Sequence, residues 1–211
     1  MDDLLSKDNF FTKLLLLVIT FILTTLAGGI LTYYFQKRSW KRQAYLDLYK
    51  KKYDDGTKFL DELSELIGKR LFFLQRFGWA ISGGDTERVE RTEKEYFEVV
   101  NVWNANYYRN RNKIRLLVNE QIADLFLDYN DDSRPDNPNS LHYKFVLTHQ
   151  NVMAAKNDNS TVNIALRKID LLNYNCSEFL EKLTSEFTIR AEKMQLLEAK
   201  DLRDNFTKSD K

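Results

Sequence analysis

The stretch Leu14–Phe35, LLLLVITFILTTLAGGILTYYF, contains no charged residue. As an α-helix it would be about 33 Å long, against a bilayer hydrocarbon core of about 30 Å. It lacks a polar face, which fits lipid on every side better than one wall of a protein core. Phe10 and Phe11 precede it, and Tyr33, Tyr34, Phe35 and Trp40 mark its other end, where aromatic rings favour the headgroup level. A cleaved secretory signal starts positive, whereas MDDLLSKDNFFTK sets Asp2, Asp3 and Asp8 against Lys7 and Lys13. The apolar run is also long for a signal peptide, and no A-x-A site follows it. Residues 14–35 therefore read as a transmembrane helix after a short extracytoplasmic segment, residues 1–13.

The flanks give an orientation. Residues 36–53 carry Lys37, Arg38, Lys41, Arg42, Lys50, Lys51 and Lys52 against Asp47, a net charge of +6. The positive-inside rule puts this basic flank and everything after it in the cytoplasm. Lys37, Arg38, Lys41 and Arg42 would meet anionic headgroups, so membrane lipids are expected partners. Within the span, Thr24, Thr25, Gly28 and Gly29 stand at small-xxx-small spacing, which lets two membrane helices approach closely. A homo-oligomer is the corresponding expectation, since one helix alone cannot enclose a pore.

The remaining sequence is written for helices. With 7 Gly and 2 Pro in 211 residues, turn chemistry is too sparse for an all-β fold. The basic juxtamembrane helix, residues 36–56, is expected to turn at the Asp-Asp-Gly of 54–56, with Thr57 capping the next helix. There Leu60, Leu63, Ile67, Leu71 and Leu74 recur at helical spacing. Ser-Gly-Gly-Asp at 82–85 is the next break, Asp85 caps a long helix to about Val118, and a shorter helix follows. DDSRPDNPNS, residues 131–140, holds both prolines and reads as a loop. Ser140 opens a helix ending near KNDNS. Ser160 is expected to cap the last helix, whose Val162, Ala165, Ile169, Leu172, Cys176, Phe179, Leu183, Phe187, Met194 and Leu197 form one stripe. The fold class is all-α: a transmembrane helix, then an antiparallel bundle of about five helices over residues 57–205, then a frayed tail, residues 206–211.

Chemistry concentrates at residues 103–112, WNANYYRNRN. The inward stripe of that helix runs Val89, Tyr96, Val99, Trp103, Asn106, Asn110, Ile114 and Leu117, so two core-facing positions are amides. A buried amide costs about 1–3 kcal/mol without a partner. Asn106 and Asn110 are therefore expected to be buried and bonded across the bundle, either fixing register or reading a ligand. Arg109, Arg111, Lys113 and Arg115 are expected over the outer side, where they could pair with neighbouring acids or grip phosphates. Trp103, Asn106, Arg109, Asn110 and Arg111 are thus the candidate ligand- or partner-binding residues.

The run WNANYYRNRNKIRLLVNEQIADLF, residues 103–126, resembles a W-N-x-N-x-x-R-N-x-N helix of bacterial proteins that have one N-terminal membrane helix and a cytosolic helical domain. In layout the chain also resembles membrane-anchored, HEPN-like accessory proteins of antiviral systems, including the pore-forming partner of type VI CRISPR effectors. The resemblance implies a bacterial inner-membrane protein, a protein partner in the cytoplasm, and a role in antiviral defence. Its alternative implication is a tethered RNA-binding module or ribonuclease.

The HEPN ribonuclease pattern places a histidine four to six residues after an arginine. Here Ile114 and Leu116 stand five residues beyond Arg109 and Arg111, and His149 follows Lys144 instead. His142 and His149 are expected on differently leaning faces of one helix, with only His149 beside the apolar side. No acid–base residue therefore stands at the needed spacing. No phosphate-binding glycine loop, zincin motif, nucleophile elbow or Cys/His metal spacing occurs, so no catalytic residue, cofactor or metal is expected. Asp128, Asp131 and Asp132 lack the glycine and glutamate of a calcium loop. Beyond residue 53 the chain holds 23 basic and 27 acidic residues, net −4, so RNA is not the favoured partner. Cys176 lies on an apolar stripe and reads as a small core residue.

Overall fold

The computed structural model describes residues 2–127 and 139–207, and the side chains of 11–127 and 139–194. Five α-helices are present among the described residues: α1 (Asp2–Gly83), α2 (Thr86–Leu117), α3 (Glu120–Phe126), α4 (Leu141–Asn157) and α5 (Val162–Thr207). No strand occurs among them. Of the expected loop over 131–140, residues 131–138 with their acids lie outside the described residues, as does the tail end 208–211. The chain divides into two units, Met1–Asp54 and Asp55–Lys211.

In the first unit the helix is exposed on all sides. Leu14, Phe21, Ile30 and Phe35 are 48%, 69%, 70% and 63% accessible, where core residues of the second unit are below a tenth. Its hydroxyls bond within the helix: Thr20 Oγ1 donates to the Leu16 carbonyl at 2.7 Å, and Thr25 Oγ1 to that of Phe21 at 2.8 Å. Those groups are satisfied without water, as a helix in hydrocarbon requires.

The expected turn at Asp54–Gly56 does not occur, and Thr57 lies inside α1 and not at a helix start, because α1 continues through them. Gly56 serves close approach instead. A Cβ there would fall 2.6 Å from Cε2 of Phe187 on α5, so only glycine lets the ring seat against the α1 backbone. Gly78 repeats the device against Ile169, where a Cβ would lie 2.8 Å from Cδ1. As α1 runs from 56 to 78, its partners on α5 thus run from 187 to 169.

The helix starts at Asp85 and Ser140 follow their sequence signals. Gly84 takes φ +69° after α1, and Asp85 caps α2 by accepting from the Arg88 N–H at 3.2 Å. Asn119 caps α3, accepting from Ile122 at 2.8 Å, and Ser140 caps α4, accepting from Tyr143 at 3.3 Å. Ser160 is not a helix cap. It lies in a short 3-10 turn, Asn159–Thr161, capped by Asp158, whose carboxylate accepts from the Ser160 N–H at 3.0 Å. Arg190 of α5 donates to the Val118 carbonyl, satisfying the end of α2.

One core joins these helices. Leu63, Ile67, Leu74 and Phe77 from α1 meet Tyr96, Trp103 and Ile114 from α2, Phe126 from α3, Phe145 and Val152 from α4, and the α5 stripe Ala165 to Phe187. Trp103 is fully buried, its ring centroid 5.3 Å from that of Phe126 and 5.2 Å from that of Phe145.

Candidate functional site: the α1–α2 groove

Helix α2 presents three functions on three faces, separated by its 100° turn per residue. Trp103 and Ile114 face the core. Arg111, one residue past Asn110, faces α3. Val99, Val102, Asn106, Arg109 and Asn110 face a groove shared with Phe59, Leu63 and Leu66 of α1.

The groove has a volume of ≈ 360 Å³, an apolar floor and a charged rim of Glu62, Glu65, Lys69, Glu98 and Arg109. An ion pair between Arg76 and Glu95, 2.9 Å long, ties α1 to α2 further along the two helices, and Lys113 lies 4.9 Å over the ring of Phe59 at the other end. Lys69 pairs with Glu65 at 2.5 Å, and that bond holds the glutamate's pKa below the usual carboxylate value. Three acids against two bases leave the rim slightly acidic, which suits a protein or peptide surface better than a phosphate chain.

Of the five residues singled out from sequence, three line this groove together. Asn110 is buried. Asn106 is half-buried, and its Nδ2 donates to the Val102 carbonyl of its own helix at 2.7 Å, not across the bundle. Four residues back along a helix lies an available carbonyl, and the side chain takes that nearest acceptor. Arg109 is exposed on the rim.

The other two are occupied within the fold. Trp103 donates its indole N–H to Nδ1 of His142 at 3.1 Å, while its face covers Arg70 at 4.5 Å. Arg111 is not on the outer side; it is 7% exposed. Its guanidinium donates to Glu120 and Asp124 at 2.6 Å each and to the Leu127 carbonyl at 2.8 Å, bracing α3 against α2. Burial opposes its charge, but bonds to Asp124 and Glu120 outweigh that and raise its pKa.

A second constellation escaped sequence reading. Arg70 of α1 is buried between Trp103 and Phe145, its guanidinium carbon 4.5 and 4.4 Å from the ring centroids. Its Nε and Nη1, and the hydroxyl of Tyr96, are buried with no hydrogen bond of good geometry among the described residues, although Arg70 and Tyr96 act on each other's charge. Burial lowers the pKa of Arg70, and the ring faces supply the attraction that holds its charge. Cys176 lies beside this cluster, its thiol pushed up to about 12 by burial and therefore unreactive. The sequence signal was the cation itself, one position from Lys69 and on the core side of the stripe.

In the first unit, Gly28 and Gly29 have nothing within 4 Å of an added Cβ, so that face of α1 is uncovered. Thr24 donates to the Thr20 carbonyl at 2.9 Å. Lys37, Lys41 and Arg42 are exposed and Arg38 half-exposed, with Lys37 5.9 Å over the ring of Tyr33.

The class defined by these features is an all-α protein with, among the described residues, one helix, near the N-terminus, long and apolar enough to cross a membrane. Compared with protein-family models, curated proteins and solved structures, the chain matches none.

Proposed function

We propose that this is a single-pass membrane protein whose cytoplasmic part, an antiparallel helical bundle, works by association and not by catalysis. The observation that carries the reading is the uncovered apolar surface from Leu14 to Phe35. Exposed to water, it would cost about 25 cal/mol for each Å² of apolar area, and nothing among the described residues covers it. A bilayer relieves that cost, and the net +6 of residues 36–53 supports a bundle on the cytoplasmic side. Thr24, Thr25, Gly28 and Gly29 then form the face for self-association. The α1–α2 groove, with Asn106, Arg109 and Asn110, is the seat for a protein partner.

In this reading the protein is an effector or accessory protein acting at the inner membrane of a bacterium, in antiviral defence. Support for that role is the resemblance of residues 103–126 together with the single-anchor layout. RNA binding is the second reading and rests on Arg109, since Arg111 is committed to Glu120 and Asp124.

The test is membrane fractionation of the full chain, followed by crosslinking after detergent solubilisation. Carbonate-resistant membrane retention and discrete crosslinked multimers are expected. A soluble chain, or a strict monomer that captures no partner, overturns the proposal.

A further inference from the structure

The chain has two histidines, and both lie on α4. Seven residues is nearly two full turns, so His142 and His149 share a face, contrary to the differing faces expected from sequence. Both rings lie against aromatic residues of α2. His142 stacks on Tyr107 with centroids 5.1 Å apart and accepts the Trp103 indole N–H on Nδ1. His149 stacks on Tyr96 at 5.5 Å and meets the edge of Phe97 at 5.8 Å. Its Nδ1 is buried with no hydrogen-bond partner among the described residues.

Each contact requires a neutral imidazole. An indole N–H only donates, so the nitrogen it meets must offer a lone pair, and a proton there would set donor against donor. At His149 a proton on Nδ1 would find no acceptor. The charged groups around it compound the cost. Arg70 approaches from α1, and Glu93 from α2 is bonded through both oxygens to Lys156 of α4 at 2.7 Å. Tyr96 brings a buried hydroxyl, Cys176 of α5 acts on Arg70, and Lys144 of α4 acts in turn on Cys176. Burial and then Arg70 hold the His149 pKa below the usual imidazole value, with Glu93 acting in the opposite sense.

We infer that α4 is a proton-operated latch: the stacked imidazoles hold it on α2, and protonation of His149 loosens that grip. For His149 the unfolded or opened state binds the proton more readily. The grip is therefore complete above about pH 6.5 and is lost as pH falls below that value. Because these are the only histidines, acidification across this range acts on one helix and spares the rest.

The experiment is hydrogen exchange of the full chain in detergent micelles at about pH 7.5 and about pH 5.5, corrected for intrinsic chemistry. Exchange of residues 141–157 should accelerate, by up to about tenfold for one imidazole at the lower pH, while residues 57–83 change little. The double variant His142→Gln, His149→Phe keeps an acceptor for Trp103 and a ring against Tyr96, and should abolish the acceleration. Equal acceleration in that variant, or none in the wild type, overturns the inference. Should the variant fail to fold, the wild-type imidazole NMR titration decides: His149 must titrate below about 6.5, and an ordinary value overturns the inference.

Discussion

Residues 14–35 of α1 and residues 59–77 of the same helix are both rich in Leu, Ile and Phe, yet the first set is wholly exposed and the second largely buried. The difference lies in pattern. Along 59–77 apolar residues recur at three and four while Lys58, Glu62, Glu65 and Lys69 take the other face, so one stripe suffices for one core. Along 14–35 every face is apolar, and no single protein neighbour could cover it. A helix with a stripe names a protein partner, and a helix without one names a solvent.

The strongest way to break that comparison is to give the first region a charge. Leu23→Arg together with Ile22→Asp should cost about 5–7 kcal/mol of membrane insertion and move the chain from the membrane fraction to the soluble or aggregated one. The mirror experiment removes a core side chain from the second region. Trp103→Ala should cost about 3–5 kcal/mol in denaturant unfolding, because it empties a fully enclosed site and strips the ring from Arg70.

Arg111→Met tests whether the α2–α3 brace is structural. It removes three donated bonds and should cost about 1–3 kcal/mol, read from the shift in denaturation midpoint. Gly56→Ala should cost about 1 kcal/mol, the crowding against Phe187 exceeding the helix propensity gained. The smallest effect is expected in the groove, where Arg109→Ala should shift stability by less than about 0.5 kcal/mol while weakening partner capture in a pull-down. A large loss of stability at Arg109 would reassign it from binding to packing.

How much of the fold could be read in advance is best judged at particular residues. Asp85 and Ser140 announced their helices because an N-cap is a local bond between a side chain and a backbone three residues on. Gly56 misled for the converse reason. Glycine permits both a turn and a close helix contact, and only Phe187, 131 positions away, decides between them. Of the candidate residues, Asn106, Arg109 and Asn110 were gathered into one groove, while Arg111 rotated inward to acids on α3 that its own helix gives no hint of. Arg70 passed unnoticed because a cation beside a core stripe ordinarily snorkels to water, and its two aromatic walls come from α2 and α4.

The sequence by itself determined the helical class, the long apolar segment near the N-terminus, and most helix ends, since periodicity, charge and capping are local properties of the chain. Tertiary structure alone decided that Gly56 is a contact and not a turn, that Arg111 braces and Arg70 is entombed, and that both histidines press on α2. Those outcomes depend on which helices become neighbours, a matter of packing between residues far apart in the chain, and no local rule contains it.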